Sequence, residues 1–146
     1  MLKIAEILNP KFGKAFGRIS KAFHSYIRDV QWTYPSDSDV VMVHVIGGDE
    51  IQYLDQYKNI IIVQHCLFTS GVPISVWEKY WERARLVISY QDISLYTNRK
   101  INLCCVPWGA DQSIFYDRDF QKSIKIFVTG HVANTENIDN VFSACK

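Results

Sequence analysis

Asn59-Ile60-Ile61-Ile62-Val63-Gln64-His65 is a β-branched run without in-out alternation, and its reading decides the fold class. A strand solvated on one face alternates apolar and polar residues, whereas a strand covered on both faces reads as a continuous apolar run. Comparable runs stand at residues 2–8, 40–46, 86–90, 101–106 and 125–129, with a weaker one at 30–33. Between them apolar residues recur at helical spacing. Ile19, Ala22, Phe23, Tyr26 and Ile27 form one such stripe, Trp77, Tyr80, Trp81 and Ala84 a second, and Ile138, Val141, Phe142 and Cys145 a third. Pro73, Ser75 and Glu78 predict a capped start for the second helix, with serine and glutamate as a capping-box pair. Strand and helix alternating along a chain predict a parallel sheet with helices on both faces, hence a doubly wound α/β domain.

Composition bounds what such a domain can do. The chain has 146 residues, 48% apolar and 21% charged, enough for one large core. A net charge of +1 gives no field that argues for nucleic acid or a membrane surface. No apolar run approaches the roughly 20 residues that span a bilayer, and Lys3 and Glu6 interrupt the first run where a signal peptide would be apolar. A cytoplasmic location is the resulting expectation. Cys66, Cys104, Cys105 and Cys145 lack CxxC spacing and are expected to be buried free thiols rather than a disulfide or a metal site.

Ligands of doubly wound sheets bind beyond the carboxyl ends of the strands, so the residues there are the candidates. After the first strand come Lys11, Gly13, Lys14, Gly17 and Arg18, leading into a helix. Glycines, helix-start amides and positive charge suit an anion, and a glycine-punctuated connection with solvated lysines fits equally well. After the third strand, Gly47-Gly48-Asp49-Glu50 opens a short helix that Asp49 can cap, while His44 inside that strand reads as a core histidine. The fourth strand ends in Gln64 and His65, which point to opposite faces. His65 titrates near neutrality and can serve either a ligand or the strand end. Ser89 or Asp92 is expected to cap the turn after the fifth strand, and the helical aromatics to pack in the core.

A resemblance sharpens this reading. Pro107, Gly109, Asp111 and Phe115 stand at the spacing of a signature found where the first domain of GT-B glycosyltransferases hands over to the second. The chain thereby resembles the amino-terminal domain of glycosyltransferase family 4-like enzymes, with a short start of the carboxyl-terminal domain. The resemblance places a Rossmann-like acceptor-side domain at residues 1–122 and the βα start of a nucleotide-sugar domain at 123–146. Retaining GT-B enzymes, phage DNA glucosyltransferases included, are similar in having an apolar strand that ends in a histidine beside the donor sugar. That similarity makes His65 the implied catalytic residue. Gly13, Gly17 and Arg18 fall where the family has its acceptor or phosphate loop. Gly130 matches the glycine of the family's first nucleotide-domain loop, although His131 replaces the frequent arginine and the later lysine-glycine pair is missing.

The implied reaction is transfer of a hexose from a nucleotide-sugar donor to an acceptor, with retention, and with neither a metal nor a cofactor beyond the donor. The family's paired basic residues and acidic segment for the donor are not in this sequence. Negligible activity is therefore expected from the chain alone, and a second chain or domain is the expected partner. Two alternatives stand beside this. One is a non-catalytic α/β interaction module, or degenerate transferase subunit, that pairs with a separate donor-binding chain. The other is a flavodoxin-like domain, against which the absence of a Ser- and Thr-rich loop after the first strand argues.

Overall fold

The computed structural model describes residues 1–67 and 71–106, apart from the side chains of 12–16, and all of these fall in one compact unit, Met1–Gly109. Six strands form a single parallel sheet: β1 Leu2–Ile7, β2 Val30–Thr33, β3 Val40–Val45, β4 Ile60–Gln64, β5 Leu86–Ser89 and β6 Leu103–Cys105. Their spatial order is β2-β1-β3-β4-β5-β6. The α-helices are α1 Gly13–Tyr26, α2 Ile51–Gln56 and α3 Ile74–Arg83, with 3-10 turns at Pro10–Phe12, Pro35–Asp37 and Ile93–Tyr96. The fold is thus the Rossmann-like doubly wound α/β class expected from β4.

The order explains where a site can form. The chain steps from β1 outward to β2, then returns to the other flank of β1 for β3 and continues outward through β6. Winding direction therefore reverses between β1 and β3, the switch point at which ligands of doubly wound sheets commonly bind.

Alternation of side chains gives each face its own core. On one face Ala5, Val41, Val43, Val45, Ile60, Ile62 and Val87 pack with Leu54 of α2, Trp77 and Trp81 of α3, and Ile93. On the other, Ile4, Met42 and Val63 pack with Phe23 of α1 and with Val30, Trp32, Ile61 and Ile88. β3 is buried along its whole length, His44 included, as befits a strand covered on both faces. Each fully buried aliphatic side chain contributes about 1.5–3 kcal/mol of transfer free energy.

Several expectations need correction. α1 does not bury all of its apolar stripe: Ile19, Phe23 and Ile27 turn inward, whereas Ala22 and Tyr26 are exposed. Its inner face is shared with Ser20 and His24, because the strand beneath carries Glu6. α3 starts at Pro73 without a side-chain cap, and Glu78 instead accepts a hydrogen bond from the Thr97 hydroxyl, so no capping box forms. Cys66, Cys104 and Cys105 are free thiols, but Cys104 and Cys105 are exposed. β6 pairs with β5 alone among the described strands, which leaves its residues half-buried at best rather than in the core. The domain boundary at 122, the strand at 125–129 and the helical stripe from Ile138 to Cys145 lie outside the described residues.

Candidate functional site

A polar row crosses the α1 face of the sheet at its carboxyl end, and the register dictates its geometry. Glu6 lies opposite Met42, and His44 is two residues further along β3 on the same face. His44 lies opposite Val63, and His65 is again two residues further on. Ile88 lies opposite Val63, so Tyr90, two residues beyond it, comes level with His65. Period-two alternation thus sends Glu6, His44, His65 and Tyr90 to one face, in steps that climb toward the rim.

The row is physically connected. Glu6 Oε1 lies 2.8 Å from His44 Nε2, within ion-pair distance. His44 Nδ1 and His65 Nε2 are 2.9 Å apart, with the rings stacked at 5.1 Å and inclined by 20°. The Tyr90 ring lies 5.4 Å from that of His65. From α1, Ser20 Oγ donates to Glu6 Oε2 at 2.5 Å and His24 Nε2 lies 3.0 Å from the same oxygen. Serine and histidine reach one carboxylate because positions i and i+4 share a helix face. His24 also stacks on Trp32 at 4.0 Å, and the Phe23 ring meets His44 edge-on at 5.7 Å.

Burial makes these contacts matter. The Glu6 side chain is only 7% exposed and that of His44 is fully enclosed. Burial pushes the Glu6 carboxyl upward, but hydrogen bonds from His44 and Ser20 and the charges of His44 and His24 outweigh it and leave the pKa below the ordinary value. His65 is 5% exposed, and burial first, then the neighbouring His44 charge, lowers its pKa to about 3. His65 is therefore neutral near neutral pH, with the amphoteric character of an uncharged imidazole. Burial raises the phenol pKa of Tyr90, which keeps its hydroxyl protonated.

A second polar cluster stitches the loops at the winding reversal. Asn9 Nδ2 donates to Glu50 Oε1 at 2.6 Å, and Glu50 Oε2 accepts from the Gly47 amide at 2.9 Å and the Ile46 amide at 3.4 Å. Lys11 Nζ reaches Asp49 Oδ2 at 2.7 Å on the exposed surface. The partnership with Asp49 also raises the Lys11 pKa. Asp49 thus binds a lysine and Glu50 holds its own loop, where a helix cap by Asp49 was the expectation. A Cβ at Gly48 would stand 3.0 Å from Val72 Cγ2, so the valine side chain would have to shift to admit it.

The residues expected for phosphate or donor binding separate. Gly13 is the first residue of α1, Gly17 lies inside that helix with open space around it, and Arg18 is exposed on it. Lys11 is engaged by Asp49. Gly130 and the Pro107, Gly109, Asp111 and Phe115 signature lie outside the described residues, as does His131. No family model, no curated protein and no solved structure matches the chain. Among the described residues no group of three or more His, Cys, Asp or Glu side chains is arranged to hold a metal ion. Among the same residues no helix is long and apolar enough to cross a membrane.

Gln64 behaves as its opposite-face position predicts: it donates to Cys66 O at 2.7 Å and accepts from Trp81 Nε1 at 3.3 Å. Ser89 accepts from the Gln91 amide and Asp92 from the Ser94 amide, so both close the turn after β5. The sequence does not single out Glu6, Ser20 or His24; it reads His44 as a core histidine, and the structure buries His44 within β3 with His65 as a partner. The signal was present. A glutamate and two histidines near the carboxyl ends of successive core strands must each find a partner, and being on one face they find one another.

Proposed function

We propose that this domain is the acceptor-side half of a GT-B glycosyltransferase, with His65 at the transfer site and a nucleotide sugar as donor. The observation that carries the reading is the position of His65: it leaves β4 at the carboxyl rim, neutral, and joined through Nε2 to His44 and so to Glu6. A neutral imidazole at a strand end suits hydrogen bonding to a sugar hydroxyl, or to charge developing on a departing diphosphate. The order of the sheet supports the same placement, because ligands of doubly wound domains gather at that rim. The donor is held mainly by a second domain, so this half alone has weak affinity for it. The setting proposed is the cytoplasm, where nucleotide sugars are available.

Calorimetric titration tests the proposal. Uridine, guanosine and adenosine diphosphate glucose are titrated into the isolated chain, then into the chain mixed with a candidate donor-binding half. Binding by the mixture alone is expected. Tight binding by the chain alone, or none by any mixture, contradicts it.

One observation favours a second reading, a non-catalytic interaction module. His65 is nearly enclosed, while Leu95 and Tyr96 of the turn after β5 are exposed, Leu95 by 76%. Such a module would bind a protein partner with no change when His65 is replaced by a shape-matched residue.

A further inference from the structure

Buried hydrogen-bond donors need an acceptor, and several donors that converge on one place suit an anion. At the winding reversal the backbone amides of Ile46 and Gly47, after β3, converge with the Asn9 side chain, after β1, on a single carboxylate. That carboxylate is the protein's own. Glu50 Oε1 accepts from Asn9 Nδ2 at 2.6 Å, and Oε2 accepts from the Gly47 and Ile46 amides at 2.9 and 3.4 Å. Glu50 is 1% and Asn9 6% exposed, so the contacts are sealed from water. None of the three donors belongs to α2, and the arrangement is a property of the two loops rather than of a helix start. Lys11, whose pKa is raised chiefly by its contact with Asp49, also feels the Glu50 charge. The place where ligands of doubly wound sheets commonly bind thus already holds an anion.

We propose that Glu50 is a specificity-determining residue, a resident anion that bars the phosphate and carboxylate groups of a ligand from the loop after β3. Two effects act together. The donors are already paired, so an incoming anion gains nothing from them, and it meets a like charge that it would have to displace. Removing the carboxylate reverses both. Glu50→Ala deletes one methylene and one carboxylate, the atoms of an acetate ion, and leaves three buried donors without their acceptor. Such donors are costly, so the variant is less stable and takes up a small anion that restores the lost bonds. On the proposed transferase reading, the donor diphosphate is then held by groups other than these amides. The occupancy of the loop by Glu50 does not rest on that reading.

The experiment uses the whole chain labelled with nitrogen-15, as wild type and as Glu50→Ala, with chloride holding the ionic strength constant. Inorganic phosphate or acetate added to the wild type should leave the amide resonances of Ile46 and Gly47 in place. In Glu50→Ala, acetate should move both resonances and raise the thermal midpoint by about 4–8 °C as it saturates, where chloride does neither. If the variant is unfolded without additive, acetate should restore its amide spectrum. Movement of both amides in the wild type on adding phosphate overturns the proposal, because an anion would then enter despite Glu50. A variant indifferent to acetate, folded or not, overturns it as well. Failure of the nucleotide-sugar titrations alongside rescue by acetate would remove the donor assignment and leave the occupancy standing.

Discussion

The two faces of the sheet are buried by different means. Beneath α2 and α3 the strands present aliphatic side chains to Leu54, Trp77 and Trp81, and the polar atoms there, Gln64 and the Trp81 indole, satisfy each other. Beneath α1 the same strands place Glu6, His44 and His65 in a connected row. The buried aliphatic and tryptophan side chains of the first face carry no charge at acid or neutral pH, so their packing does not depend on proton concentration there. A row of buried ionisable groups makes the other face depend on the protonation state of its members. Both faces are built from the same strands, so this contrast isolates what side-chain chemistry adds to a common backbone.

Three changes would break or sharpen the contrast. The largest effect is expected from Trp81→Ala, which empties the centre of the apolar face and removes a donor to Gln64; it should cost about 3–5 kcal/mol in urea unfolding, equally at acid and neutral pH. If the loss were confined to acid, the two faces would not be independent.

The second is the pH dependence itself. His65 has a pKa of about 3 in the fold, against 6.5 as its ordinary value. Between those values the unfolded chain binds a proton that the folded chain refuses, so stability falls as pH drops through this window. The slope should approach 1.4 kcal/mol per pH unit, roughly the free energy of one pKa unit. Glu6, whose pKa is lowered, contributes stability above its ordinary value of 4.5 that is lost as pH falls further. Urea unfolding of wild type and His65→Gln over this range would settle the matter: the variant should lose most of the slope. An unchanged slope would assign the acid sensitivity to other groups.

The smallest effect sharpens the comparison from the helix side. Gly17 sits inside α1 with nothing within 4 Å of where a methyl group would stand and no left-handed backbone. Gly17→Ala should therefore stabilise the cover over the polar row by about 0.5–1 kcal/mol, read as a raised thermal midpoint, without altering the pH slope. Destabilisation would mean that the position serves a close approach after all.

How much was legible in the sequence follows the same division. The runs around β3 and β4 identify a parallel sheet because only strands covered on both sides are apolar throughout, and the spacing of Trp77 and Trp81 correctly marks a buried helix face. α1 was misread for a physical reason. Counting apolar residues assumes that a helix buries its most apolar stripe, but Glu6 below attracts Ser20 and His24 inward and leaves Tyr26 in solvent. Likewise, Glu78 is drawn to a hydroxyl distant in sequence, and a local capping pattern cannot register such competition. His65 was identifiable from its place at a strand end, whereas its link to His44 depends on which strands become neighbours.

The stitches at the winding reversal have a consequence for any visitor to that rim. Asn9 and Glu50, with Lys11 and Asp49, fix the loops after β1 and β3 to one another before anything arrives. Ordering a flexible side chain on association costs about 0.5–1.5 kcal/mol, and here much of that cost falls on folding instead. A molecule docking at this rim would meet loops already joined, so selectivity would come from its fit to a fixed shape rather than from those loops closing around it.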